Sequence, residues 1–80
     1  MFTVYILHSK SLDRYYVGHT ANMKDRIKRH NSGRSKFTKS GIPWKLMYTE
    51  TFTTKASAYQ RELEIKAKKS RKYIEQLLLD

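Results

Sequence analysis

The sequence predicts an α+β fold: a three-stranded, mainly antiparallel sheet packed by helices in the order ββαβαα. Three observations carry this. Residues 2–7 and 15–20 are short apolar runs rich in β-branched and aromatic side chains, separated by a polar stretch at 9–14. Two later segments have helix start and stop signals. Between them Trp44, Leu46, Tyr48 and Phe52 alternate with more polar neighbours, as in a strand with one buried face. At 80 residues the chain is expected to be a single domain over 1–80, because so short a chain does not divide into two parts that each bury a core.

Each element has a local reason. The first two apolar runs read as a β-hairpin with a longer loop. Asn22 caps a helix whose third position is Asp25, and Gly33 offers a left-handed stop, so the first helix spans about 23–31. Residues 34–42 hold two Ser, one Thr, one Gly and three cations, and read as an exposed basic loop. Pro43 then introduces the third strand. Thr53 or Thr54 caps a second helix to about residue 68, and Ser70 caps a third in which Ile74, Leu77 and Leu78 recur at helical spacing.

The charge narrows the partner. Seventeen Lys and Arg against seven Asp and Glu give a net +10. Residues 22–45 hold eight of these cations (Lys24, Arg26, Lys28, Arg29, Arg34, Lys36, Lys39, Lys45) against Asp25 alone, which leaves +7 in one stretch. A basic patch of this kind fits nucleic acid better than a mixed-sign solubilising surface does. There is no cysteine, hence no thiolate metal site or Cys nucleophile, and no signal segment or membrane span, so a cytoplasmic protein without a membrane partner is expected. Nothing in the sequence calls for a protein partner.

Polar residues on apolar arcs are the candidates for chemistry. At about 100° per residue, Arg26 and His30 fall on the same side of the first helix as Met23 and Ile27. On the second helix Glu62 falls inside an arc bounded by Ala58 and Ile65 on one edge and Tyr59 and Leu63 on the other, whereas Glu64 faces solvent. The bland reading of Glu62 is an ion pair with Arg26 or Arg61, which stabilises a small domain little. Strand alternation places Tyr5 with Thr3 and Leu7, and Tyr16 with Gly18 and Thr20. If Tyr5 lies opposite Tyr16 or Gly18, both phenols share a face and Gly18 leaves room beside them. A carboxylate, cations and phenols converging in one concave site on the sheet would suit phosphoryl chemistry.

The same residues carry a resemblance. Thr3-Val4-Tyr5 and Tyr16-Val17-Gly18, followed by His19-Thr20, Asn22, Arg26, His30-Asn31-Ser32-Gly33, Pro43-Trp44, Arg61-Glu62 and Ile65-Lys66, resemble the GIY-YIG nuclease superfamily. The likeness covers nearly the whole chain and is greatest to short stand-alone members, similar in turn to the nuclease domain of the excision-repair endonuclease subunit. It implies an endonuclease with a place in DNA repair. It further implies that Glu62 binds one divalent cation, Arg26 stabilises the phosphate, Tyr5 and Tyr16 orient or deprotonate the attacking water, and Gly18 permits close approach. His30 matches a position that holds Tyr or His in the family, and His19 one that holds Lys in some members. The first motif departs in having Thr3 for Gly and Val4 for Ile, and the C-terminal Asn that the phage homing endonucleases of the family carry has no counterpart here.

A single carboxylate ligand suits Mg²⁺, or Mn²⁺ in its place, because such an ion keeps several waters and takes further oxygens from a phosphate. The expected activity is therefore metal-dependent hydrolysis of phosphodiester bonds, with DNA the expected polymer. Tyr5, Tyr16, Arg26 and His30 would act in catalysis, while His19, Lys24, Arg34, Lys36 and Lys39 would hold nucleic acid. Phenols are poor bases at their ordinary pKa of ~10, so either the site lowers it or His30 assists. A non-enzymatic nucleic-acid-binding module with a degenerate site is the alternative. A membrane-surface role would want a basic amphipathic helix with an exposed aromatic face, and the one Trp lies on a predicted strand.

Overall fold

The structure, a computed structural model, describes residues 1–79. It comprises β1 (Phe2–Ser9), β2 (Arg14–Thr20), α1 (Met23–Asn31), β3 (Trp44–Phe52), α2 (Lys55–Ala67) and α3 (Arg71–Leu79), with a 3-10 turn at Lys39–Gly41 before β3. The expected class and order are both present. β1 lies in the centre of the sheet, antiparallel to β2 on one side and β3 on the other. Its run Val4, Tyr5, Ile6 and Leu7 is buried on both faces, which is why it reads as continuous rather than alternating.

Alternation along the strands makes two core layers. Val4, Ile6 and Val17 pack with Ala58 and Ile65 of α2 and with Ile74 and Leu77 of α3. On the opposite face Tyr5, Leu7 and Trp44 pack with Tyr16 and with Met23 and Ile27 of α1. One helix thus covers the tyrosine face and two cover the other.

The helix caps follow the sequence. Asn22 accepts from the Asp25 amide at 3.1 Å, Thr54 from that of Ser57 at 3.1 Å and Ser70 from that of Tyr73 at 3.2 Å. Gly33 follows α1 at φ 84°, the left-handed geometry that favours glycine. α3 is tied back to the hairpin by Arg71, whose guanidinium reaches the Asp13 carboxylate at 2.7 Å. Arg61 joins α2 to β3 through Glu50 at 3.1 Å and to α3 through the Tyr73 hydroxyl.

Four expectations are corrected. Ser9 pairs with Arg14, so the hairpin loop has only four residues, closed by a hydrogen bond from the Leu12 amide to the buried Ser9 hydroxyl. β3 does not alternate throughout. Its register against β1 shifts between Leu46, opposite Leu7, and Tyr48, opposite Ile6; the extra residue, Met47, puts Trp44 on the α1 face and Tyr48 and Phe52 on the other. The buried arc of α2 is narrower than expected: Tyr59 and Leu63 are exposed, and Ala58, Glu62 and Ile65 face inward. Finally, the basic loop is not exposed throughout, since Thr38 and Gly41 are buried within it.

Candidate active site

Tyr5 lies directly opposite Gly18, which decides between the two registers open from sequence. A Cβ on Gly18 would stand 2.6 Å from the Tyr5 hydroxyl oxygen and 3.2 Å from Cε1 of Tyr16, so the absent side chain is the space into which both phenols lean. The two rings are 6.3 Å apart, centre to centre. His30 of α1 closes this group from above. Its Nε2 is 3.0 Å from the Tyr5 hydroxyl and its Nδ1 is 2.9 Å from the Thr38 hydroxyl, while its ring lies 4.9 Å from that of Tyr16. Burial pushes the His30 imidazole below its ordinary pKa, with Arg26 and Arg29 adding to the effect, so the ring is neutral at pH 7. A neutral ring has one donor and one acceptor nitrogen, which satisfies both hydroxyls. Burial likewise pushes the Tyr5 phenol well above its ordinary range, and the nearby Tyr16 and Glu62 add to the shift while Arg26 opposes it. Tyr5 is therefore a protonated, dry hydroxyl. Tyr16 is only partly buried, and its hydroxyl has no hydrogen-bond partner among the described residues.

Glu62 is buried, as helical phase predicted, and Glu64 is exposed. Its partners are neither Arg26 nor Arg61. Oε1 lies 2.6 Å from His19 Nδ1, and Oε2 lies 2.6 Å from the Lys66 ammonium one helical turn on. Arg61 is engaged instead by Glu50 and Glu64. His19 is thus a neighbour of the carboxylate, and its ring also packs on that of Tyr59.

Strand parity separates these two groups. Tyr5, Tyr16 and Gly18 lie on the α1 face, whereas His19 and α2 lie on the other, so the site is not a hollow on one face of the sheet. His19, the partner of Glu62, reaches the end of the sheet where β1 begins and β2 ends, together with Arg26 of α1. A recess there is lined by Phe2, His19, Thr20, Ala21, Arg26 and Lys55, which brings a cation from the first turn of α2 beside the one from α1. Tyr5, Tyr16, His30 and Glu62 do not line it. The remaining basic candidates lie away from this recess. Lys24, Arg34, Lys36 and Lys39 are exposed, and Arg34 lines a separate hollow with Lys28, Arg29, Asp25 and Ser32.

Lys55 and Thr38 were not singled out from sequence, and Lys66, quoted for the resemblance, was given no role. Lys66 had a readable signal, four residues after Glu62 on one helix face. Lys55 and Thr38 had none, because tertiary folding alone brings them to Arg26 and His30.

Glu62 fits a hard divalent cation. It is an oxygen donor held in place by His19, and a half-exposed ammonium already stands where a cation would bind Oε2. No group of three or more His, Cys, Asp and Glu capable of holding a metal occurs among the described residues, so any such ion would take most of its ligands from water and substrate.

The family model described as the GIY-YIG catalytic domain matches residues 1–74. A UPF0213 protein of Staphylococcus haemolyticus is 44% identical over 64 residues, covering 79% of this chain and 77% of that protein. One from Natronomonas pharaonis is 40% identical over 65 residues, covering 80% and 75% respectively. The solution NMR structure of a UPF0213 protein from Bacillus halodurans superposes with a TM-score of 0.60 at 39% identity, covering 98% of this chain and 83% of that one. The chain belongs to the GIY-YIG family.

Proposed function

We propose that the protein is a metal-dependent endonuclease that hydrolyses phosphodiester bonds of DNA. The observation that carries this reading is Glu62, a buried carboxylate bonded to His19, which itself lines a recess with Arg26 and Lys55. A Mg²⁺ or Mn²⁺ ion on Glu62 would supply Lewis acidity toward the phosphate and its leaving oxygen. Arg26 and Lys55 hold the phosphate and share the charge that develops on its non-bridging oxygens. Tyr16, the phenol that is only partly buried, orients the attacking water and takes its proton as the phenolate. Tyr5 and His30 position it. Both nitrogens of His30 are already engaged and its protonation is disfavoured, so it acts on the reaction through the geometry of the two tyrosines rather than as the base.

One observation favours a second reading, a DNA-binding module without turnover: Lys66 occupies the cation position on Oε2. Cleavage of labelled DNA and melting temperature, each with Mg²⁺ and with chelator, separate the two in wild type, Glu62→Gln and Glu64→Gln. The endonuclease predicts Mg²⁺-dependent cleavage and a Mg²⁺-induced rise in melting temperature, both lost in Glu62→Gln and kept in Glu64→Gln. DNA binding without either effect in the wild type would establish the second reading.

A further inference from the structure

Phe37 is 93% exposed, whereas the other two phenylalanines pack against the core. A lone exposed apolar side chain is ordinary on a protein surface, but the setting of this one is not. It stands among Arg34, Lys36 and Lys39, and residues 26–49 contain no carboxylate. The backbone beside it is held firmly. Thr38 is buried, its hydroxyl bonds to His30, its carbonyl accepts from the Trp44 indole at 2.6 Å and its amide donates to Ser35 at 3.2 Å. The ring is therefore presented on a fixed stalk, which lowers the ordering cost of using it in binding. That stalk is also continuous with the site, since Thr38 bonds to His30 and His30 to Tyr5.

A flat apolar ring flanked by cations matches a polyanion with exposed aromatic faces, which is unpaired nucleic acid. In an intact duplex the base faces are stacked and unavailable. We infer that Phe37 stacks on an unpaired nucleobase of a strand whose backbone lies along Arg34, Lys36 and Lys39, so that the protein prefers single-stranded, gapped or branched DNA to intact duplex. This rests on the nucleic-acid reading of the site but not on turnover.

The test is binding in chelator, where no cleavage occurs, of wild type, Phe37→Ala and Phe37→Trp to a labelled single strand, the matching duplex and the duplex with one unpaired base. Phe37→Ala is expected to weaken binding to the single strand and the unpaired site by roughly 5- to 150-fold, with duplex affinity and melting temperature unchanged. Phe37→Trp is expected to restore it. Equal loss on all three DNAs, or no loss on any, overturns the proposal. So does DNA binding that is untouched while affinity for phosphatidylserine vesicles falls, which would make the ring a membrane anchor. Because Glu62→Gln tests cleavage and Phe37→Ala tests base-dependent binding, either idea can fail while the other stands.

Discussion

His19 and Lys66 divide the two oxygens of Glu62 between them, and the division has consequences for metal binding. His19 fixes the carboxylate from the sheet, whereas Lys66 reaches it on a long, half-exposed side chain that can swing away. With the ammonium half exposed and the carboxylate buried, the pair contributes on the order of 1 kcal/mol, which metal binding must offset to displace the ammonium. Lys66→Met is accordingly expected to tighten Mn²⁺ binding by roughly 1.5- to 5-fold, read by titration of the metal. Weaker binding would show that Lys66 supports the ion rather than competing with it. His30 gives a second measurable consequence. Its folded pKa lies below the ordinary value, so as pH falls through ~6.5 the unfolded chain takes up a proton that the native one refuses. The stability that neutral His30 contributes is present above that pH and is lost below it. Melting temperature should therefore decline as pH falls from about 6.5 toward 5, before the carboxylates titrate, and His30→Asn should flatten that part of the profile while starting from lower stability.

The elements of this fold meet at two glycines, Gly18 and Gly41, and one asparagine. A Cβ at Gly18 collides with the Tyr5 hydroxyl and ring, and Tyr5 is buried with no room to retreat. Gly18→Ala is thus expected to cost about 1–3 kcal/mol by overpacking; wild-type stability by thermal melting would refute the contact. Asn31, the last residue of α1, clamps β3 by donating to the Trp44 carbonyl at 3.0 Å and accepting from its amide at 2.6 Å. Asn31→Ala should cost about 1–3 kcal/mol, because the strand-end amide and carbonyl lose their partners together. How much of this was legible from sequence depends on how local each cause is. Asn22, Thr54 and Ser70 announce their helices because a cap acts within three residues. The inward turn of Glu62 follows from helical phase alone. By contrast the bulge at Met47 depends on β1 across the ladder, and the burial of Thr38 depends on His30 and Trp44, so composition read that stretch as loop. The division of site residues between the two faces of the sheet was hidden for the same reason: strand parity says which residues share a face but not which helix covers it.

Over the whole molecule the charges are sorted. Asp13, Glu50, Glu64 and Glu75 are all paired to Arg61 or Arg71, bracing α2 and α3 against the strands. The eight cations between residues 22 and 45 make no ion pair among the described residues, so α1 and the loop after it present an unneutralised basic side. Unpaired cations on a compact body, 30 × 27 × 20 Å in extent, set up a field that draws a phosphate backbone by counterion release. The molecule's longest dimension, 30 Å, equals about nine base pairs at ~3.4 Å each, which bounds the length of duplex it can contact. Each phosphate neutralised adds about 0.9 to the slope of log affinity against log salt on duplex DNA. Replacing Arg34, Lys36 and Lys39 together with Ala should therefore lower that slope by roughly 3 if each holds one phosphate, and by less if only some do. The fold should survive, since all three side chains are exposed and the buried residues of the loop are Thr38 and Gly41. Fluorescence anisotropy over a salt series, with melting temperature as the control, reads both quantities. An unchanged slope at unchanged stability would move the nucleic acid off this loop, and would leave the hollow that Lys28 and Arg29 line as the next place to look.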